Sequence, residues 1–182
     1  MRTSRRAVRG SLSFAYDQAY ESKVRHGALV PSTQTGSGTM RLNADEARSR
    51  LTSHVHGVLC TVHPDDGPDA IPVVYAVSGD GHIGLPIDHV KAKTSSRLQR
   101  EKNLAAYPRA ALLVERWEPD DWSRLWWVRA RLEHVPHPSP TLVEELTARL
   151  ATAIPQYVDR PFHHVIVCRI LALSGWAASN ES

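Results

Sequence analysis

Two cysteines in 182 residues leave little scope for covalent stapling. Cys60 and Cys168 each lie inside an apolar, strand-like run, and no Cys-x-x-Cys spacing occurs. They read as small buried hydrophobes in a reducing compartment rather than as a disulfide or zinc framework. No apolar run approaches the roughly 20 residues that a membrane-crossing helix needs. The N-terminal arginines are not followed by the apolar stretch of a secretory signal, so a cytoplasmic protein is the expectation. Gly-rich phosphate loops of the dinucleotide or Walker type are absent as well. Ser174-Gly175 lacks the strand–elbow–helix setting of a hydrolase nucleophile. The pairs His54 with His56 and His163 with His164 have no carboxylate or cysteine at helical spacing, so no metal site is expected.

Charge is present but unevenly placed. The formal net charge is +3 with a pI near 9.1. Residues 1–39 alone carry six Lys/Arg and two acids, a net of +4, while residues 40–182 sum to −1. Residues 1–39 therefore read as a basic, disordered extension, and residues 40–182 as one cofactor-binding domain with an apolar content sufficient for a core. Nucleic acid is an unlikely partner for a nearly neutral domain, since phosphate neutralisation needs a broad basic face.

Local patterns divide the domain. Asn43 with Glu46 three residues later forms a capping signal for a helix ending near Gly57, with Leu42 able to staple onto Ala47. Strand-type runs follow at Gly57–His63, Ala70–Val77, His82–Ile87 and Ala110–Trp117, separated by turn chemistry such as Pro64-Asp65-Asp66-Gly67-Pro68 and Ser78-Gly79-Asp80-Gly81. A helix spans about Ser95–Ala106. The longest strand, about Arg124–Val135, alternates with period two: Trp126, Val128, Ala130 and Leu132 share one face, and Trp127, Arg129, Arg131 and Glu133 the other. Ser139-Pro140 opens a helix striped by Leu142, Leu146 and Leu150, and His163–Leu173 closes the chain as a strand. Antiparallel strands dominate. The expected class is α+β, mainly antiparallel, built on a small barrel or curled sheet with a few short helices.

Chemistry concentrates between Asp88 and Arg129. Lys91, Lys93, Thr94 and Arg97 sit where a strand hands over to a helix, whose first amides and dipole favour an anion. The same residues also suit an ordinary solvated helix end. Three tryptophans fall within Asp121-Trp122-Ser123-Arg124-Leu125-Trp126-Trp127-Val128-Arg129. Trp126 belongs to the core face, and Trp127 with Arg129 to the face available to a ligand. A phosphate-bearing, flat-ringed cofactor fits both halves of this pattern.

The run Asp88-His89-Val90-Lys91-Ala92-Lys93-Thr94, then Arg97-Leu98-Gln99-Arg100, Asn103-Leu104, Pro108-Arg109, the Trp-Trp-Val-Arg segment and Gly175-Trp176-Ala177 resemble the pyridoxamine-5′-phosphate-oxidase-like split β-barrel family, in particular its branch using the deazaflavin coenzyme F420. The resemblance covers about residues 41–178. It implies a six-stranded split β-barrel (the FMN-binding split barrel) that forms a homodimer with cofactor sites at the interface. It implies cofactor-binding roles for Lys91, Lys93, Thr94 and Arg97 at the phosphate and for Pro72, Val73, Val74 and Tyr75 beneath the ring. Pro86, Ile87 and Asp88 would border the ring, and Trp127 and Arg129 would come from the partner chain. The implied activity is hydride transfer from reduced F420 to a small organic substrate. The alternatives are an FMN-dependent oxidase or reductase and a non-catalytic F420- or flavin-binding protein. Tyr75 is the one conceivable proton donor, with a packed strand tyrosine as the competing reading. Two departures are visible. Ala130-Arg131-Leu132-Glu133 continues the strand where the family often turns, and the apolar Arg169-Ile170-Leu171-Ala172-Leu173 argues against vitamin-B6 oxidation.

Overall fold

The computed structural model describes residues 40–88 and 98–178. Eight strands and three α-helices are found along these residues. β1 (Met40–Arg41) leads into α1 (Ala44–Thr52), then β2 (His56–His63), β3 (Gly67–Val74), β4 (Ala76–Val77) and β5 (His82–Asp88). After α2 (Gln99–Ala106) come β6 (Arg109–Arg116), β7 (Trp126–Val135), α3 (Pro140–Ala153) and β8 (Phe162–Ala177).

The ladders are antiparallel throughout and run in the order β3-β2-β6-β7-β8-β5-β4, with β1 added against the far end of β8. The six-stranded split β-barrel expected above is therefore wrong: among the described residues the strands form an open antiparallel sheet that no ladder closes. Strand count failed first at Ala70–Val77, which looks like one continuous run. Tyr75 divides it. Its backbone N–H donates to the Val55 carbonyl at 2.9 Å, and its hydroxyl donates to the Leu51 carbonyl at 2.7 Å. The ring is fully buried beneath α1. Locked this way, the chain leaves β2 at Val74 and pairs with β5 from Ala76 onward.

Other elements follow the local signals closely. Asn43 Oδ1 accepts from the Glu46 amide at 2.9 Å, and the Glu46 carboxylate accepts from the Asn43 amide at 2.8 Å, completing the capping box. Ser139 accepts from the Leu142 amide with Pro140 in the first turn of α3. Along β7 the alternation is kept: Trp126, Val128, Ala130 and Leu132 are buried, while Arg129 and Arg131 are exposed. Those four join the main core with Leu51, Leu59, Tyr75, Ile83, Leu85 and Leu112. A second core on the opposite side of β5 and β8 holds Leu146 and Leu150 of α3 against Val165, Val167 and Tyr157. Lying between the two cores, β5 is buried almost end to end. Gly175 marks a close crossing: a Cβ there would stand 2.8 Å from the Leu42 side chain and 2.9 Å from the Trp127 carbonyl.

Candidate functional site

β3 is an edge strand, paired only with β2 among the described residues. Its second row of backbone donors and acceptors is left without a ladder. β5 stands near the other end of the strand order, yet both strands line one cavity of about 250 Å³. Pro72, Val73 and Val74 supply one wall, and Leu85, Pro86 and Asp88 supply another. Arg100 from the first turn of α2, Tyr157 from the turn after α3, and the exposed His56 complete the lining.

Three of these groups form a polar centre. The Tyr157 hydroxyl donates to Asp88 Oδ2 at 2.7 Å, and the tyrosine is buried, with its ring packed edge-on 4.9 Å from Phe162. Burial first, and the hydrogen bond to Asp88 second, push its pKa up to about 12, so it is a neutral donor at ordinary pH. Arg100 is half-buried, and its Nε is wholly buried without a hydrogen-bond partner. Desolvation draws the guanidinium's pKa below the ordinary arginine value, opposed by the nearby charges of Glu101 and Asp88. A buried N–H without a partner leaves a desolvation cost of about 1–3 kcal/mol uncompensated.

Placement of Arg100 depends on how α2 is fastened. Asn103, fully buried, donates to Thr61 Oγ1 at 2.9 Å on β2 and to Asp69 Oδ2 at 3.0 Å on β3. Its side-chain Oδ1 accepts from Gln99 Nε2 at 2.9 Å. On the other flank Glu101 meets His164 of β8 at 3.0 Å and also accepts from the Leu98 amide at 2.8 Å. α2 is thus anchored to β2 and β3 at one end of the sheet order and to β8 further along it.

The residues singled out from the sequence separate into groups. Pro72, Val73, Val74 and Asp88 line the cavity together. Ile87 lies next to them in the main core, and Tyr75 is buried with its hydroxyl committed to Leu51. Lys91, Lys93, Thr94 and Arg97 lie outside the described residues. Trp127 and Arg129 lie elsewhere: Trp127 pairs with Trp176 across β7 and β8, and Arg129 stands 6.0 Å above the Trp127 ring, bordering a different groove. Of the tryptophan-rich run, Trp126 is core, with His54 edge-on at 4.7 Å, while Trp122 is exposed and meets Trp117 at 5.8 Å. Sequence reasoning did not rank Arg100, Tyr157 or His56 as site residues. Arg100 was visible as one more cation in a basic run, whereas Tyr157 lies 69 residues from the Asp88 it bonds and carries no local signal. Among the described residues no cluster of His, Cys, Asp and Glu could hold a metal ion, and no helix is long and apolar enough to cross a membrane.

No family model matches the sequence, and no curated protein does. Solved structures do. A FAD-binding protein from Mesorhizobium loti is 21% identical with a TM-score of 0.56, over 76% of this chain and 97% of that one. A heme-binding protein from Mycobacterium smegmatis is 19% identical with a TM-score of 0.56, over 83% of this chain and 57% of that one. An FMN-binding protein from Syntrophomonas wolfei is 16% identical with a TM-score of 0.55, over 72% and 84%. The chain shares their fold. The resemblance drawn from the sequence thus holds at the level of a fold group that includes flavin- and heme-binding proteins. None of the three is named for a deazaflavin.

Proposed function

We propose that the chain is a flavin-binding oxidoreductase that holds FMN or FAD in the cavity between β3 and β5. The observation that carries this reading is Arg100 at the wall of that cavity, a half-buried guanidinium whose Nε has no hydrogen-bond partner. Charge-assisted bonds from a guanidinium suit a phosphate ester or a ring oxygen. The edge of β3 offers its unladdered row of backbone groups to the rim of a flat heterocycle. A cavity of about 250 Å³ takes the ring system and leaves the rest of the molecule outside; whole ligand pockets usually run from about 300 Å³ upward. The shared fold with proteins named for FAD and FMN supports the same choice.

When bound, the flavin supplies reversible hydride and electron transfer, and the protein contributes orientation and electrostatics. Arg100 neutralises anionic charge. Tyr157, kept protonated by burial and by its bond to Asp88, fixes the Asp88 carboxylate at the cavity wall. Val73 and Val74 supply an apolar floor that limits access of water. The finer reading, coenzyme F420 as hydride donor to a small electrophile, rests on the sequence resemblance and uses the same cavity.

Titration of the purified protein with FMN, FAD, F420 and hemin, followed by absorbance and tryptophan fluorescence, decides among them. FMN or FAD is expected to bind, and Arg100→Gln to weaken that binding by about 1.5–3 kcal/mol, the worth of a charge-assisted hydrogen bond. Tighter binding of F420 would select the deazaflavin reading, and a hemin spectrum the heme one. Flavin affinity untouched by Arg100→Gln would remove the cavity from the argument.

A further inference from the structure

His54 and His56, two residues apart where α1 hands over to β2, have different surroundings. His54 Nδ1 lies 2.9 Å from the Arg50 carbonyl and 3.2 Å from the Ser53 hydroxyl, and its ring stands edge-on to Trp126. His56 makes no hydrogen bond or ion pair among the described residues, and it lines the cavity between β3 and β5. Its backbone is held on both sides. The Val55 carbonyl accepts from the Tyr75 amide at 2.9 Å. Gly57 is pressed against β6, where a Cβ would stand 2.6 Å from the Leu113 carbonyl. Register places the side chain. His56 stands opposite Val74, and Val58 opposite Pro72. Proline has no N–H for the ladder, so Pro72 and Val58 form a pair without exchanged hydrogen bonds, and His56 with Val74 forms the next such pair. Side chains approach most closely in pairs of this kind, which sets the imidazole beside Val74 at the cavity.

The other titratable and charged groups among the described residues of this cavity are Asp88 of β5, Arg100 of α2 and Tyr157 after α3. None of them suits proton donation near neutrality. Tyr157 donates to Asp88 Oδ2, and its pKa is pushed up to about 12. Arg100 keeps its proton as a guanidinium. Tyr75, the donor that the sequence suggested, is fully buried with its hydroxyl given to the Leu51 carbonyl. Imidazole is the side chain that exchanges its proton between about pH 5 and 8, and a general acid works best near the operating pH. His56 is also exposed, so solvent can restore its proton.

We propose that His56 is the general acid of this cavity, protonating a small substrate with a polarised double bond, an enone or a quinone, as hydride reaches it. The assignment rests on the flavin reading and adds to it the proton source and the substrate class. With the reduced flavin as two-electron donor, a hydride forms a C–H bond at the far carbon of the enone. The C=C π bond breaks, and the electron pair moves to the carbonyl oxygen. There the N–H bond of the His56 imidazolium breaks and an O–H bond forms, leaving the enol of the saturated ketone. The substrate is reduced by two electrons and the flavin oxidised by two, and the neutral imidazole takes its next proton from solvent.

Wild type and His56→Gln, both loaded with FMN, test it in two ways. The first is equilibrium binding of 2,4-dinitrophenolate, an aryl oxyanion that mimics the charge formed on the substrate. Wild-type affinity is expected to fall as pH rises through the histidine range, because only the imidazolium attracts an anion. H56Q is expected to bind it more weakly at low pH and with no such fall. The second is single-turnover oxidation of the reduced protein by 2-cyclohexenone. H56Q is expected to be slower by about 100-fold or more, the usual worth of a general acid. Its rate with ferricyanide, which takes electrons and no proton, is expected to match wild type. An enone rate and a dinitrophenolate affinity unchanged in H56Q overturn the proposal and leave the flavin reading standing. Equal slowing with cyclohexenone and ferricyanide overturns it by making His56 a flavin contact, and so does a wild type that reduces neither cyclohexenone nor benzoquinone, by removing the substrate class. A wild type that binds no FMN overturns it together with the flavin reading.

Discussion

Tyr157 shows how one residue ties stability to the candidate site. Its hydroxyl is buried and donates to Asp88, and its pKa stands at about 12 against an ordinary 10.0. The folded state therefore holds this proton more tightly than the unfolded chain does. Its contribution to stability is complete below about pH 10 and is lost as pH rises toward 12. Cys168, whose thiol burial pushes up to about 12 from 9.0, adds a loss that starts about one unit earlier. Urea midpoints measured from pH 8 to 12 should fall progressively above pH 9. Tyr157→Phe should lessen the part above pH 10, which the buried Tyr75, its pKa also raised by burial, shares, with a cost of about 1 kcal/mol at neutral pH for the lost hydrogen bond. An identical alkaline decline in wild type and Tyr157→Phe would mean that other groups set it. Nothing in the residues around Tyr157 announced this role. Its neighbours read as a loop after a helix, and the partner that gives it meaning belongs to a distant strand.

Elements were legible where a local physical cause defines them. The capping box at Asn43, the proline in the first turn of α3 and the alternation along β7 are each written within a few residues, and each is present. Breaks imposed from afar were not. Tyr75 reads as one more apolar strand residue until α1 offers it the Leu51 carbonyl, and β8 runs on to Ala177 because β7 and β1 continue beside it. α2 shows the energetic side of the same point. Its amphipathic pattern is weak, and what holds it is the buried amide of Asn103 bridging Thr61 and Asp69. Asn103→Ala removes these bonds and leaves the Thr61 hydroxyl buried with one partner fewer. The expected loss is about 2–4 kcal/mol in chemical denaturation, from lost hydrogen bonds and an unsatisfied buried group. Since α2 carries Arg100, flavin affinity should fall in the same variant even under conditions where it remains folded. A variant that loses stability yet binds flavin normally would separate the helix anchor from the site.

At the scale of the whole molecule, strand order is the part the sequence conceals. Every ladder among the described residues is antiparallel; β2–β3, β4–β5, β6–β7 and β7–β8 join consecutive strands, yet β2 also pairs with β6, and β8 gathers β1 and β5 from across the chain. Periodicity reports which face of a strand is apolar and says nothing of which neighbour it meets, so the family resemblance implied a closed barrel where the ladders among the described residues stay open. The near-neutral charge of residues 40–182 was likewise a correct sum that hid a groove lined by Arg109, Arg129 and Arg131 on one face. Openness has a consequence for stability. The cavity lies between β3 and β5, which no ladder joins, so a ligand bridging Val73, Val74 and Arg100 would supply cross-links that the sheet itself lacks. Such a ligand binds the folded state alone, and at a concentration one hundred times its dissociation constant it stabilises by about 2.7 kcal/mol. For a domain of this size that corresponds to a rise of roughly 5–10 °C in melting temperature. Differential scanning fluorimetry across an FMN series should show the melting temperature climbing with the logarithm of concentration in the wild type. The same climb should begin at higher FMN in Arg100→Gln. Coincident curves would place FMN away from Arg100, and a flat wild-type curve would mean that the flavin does not bind the folded chain.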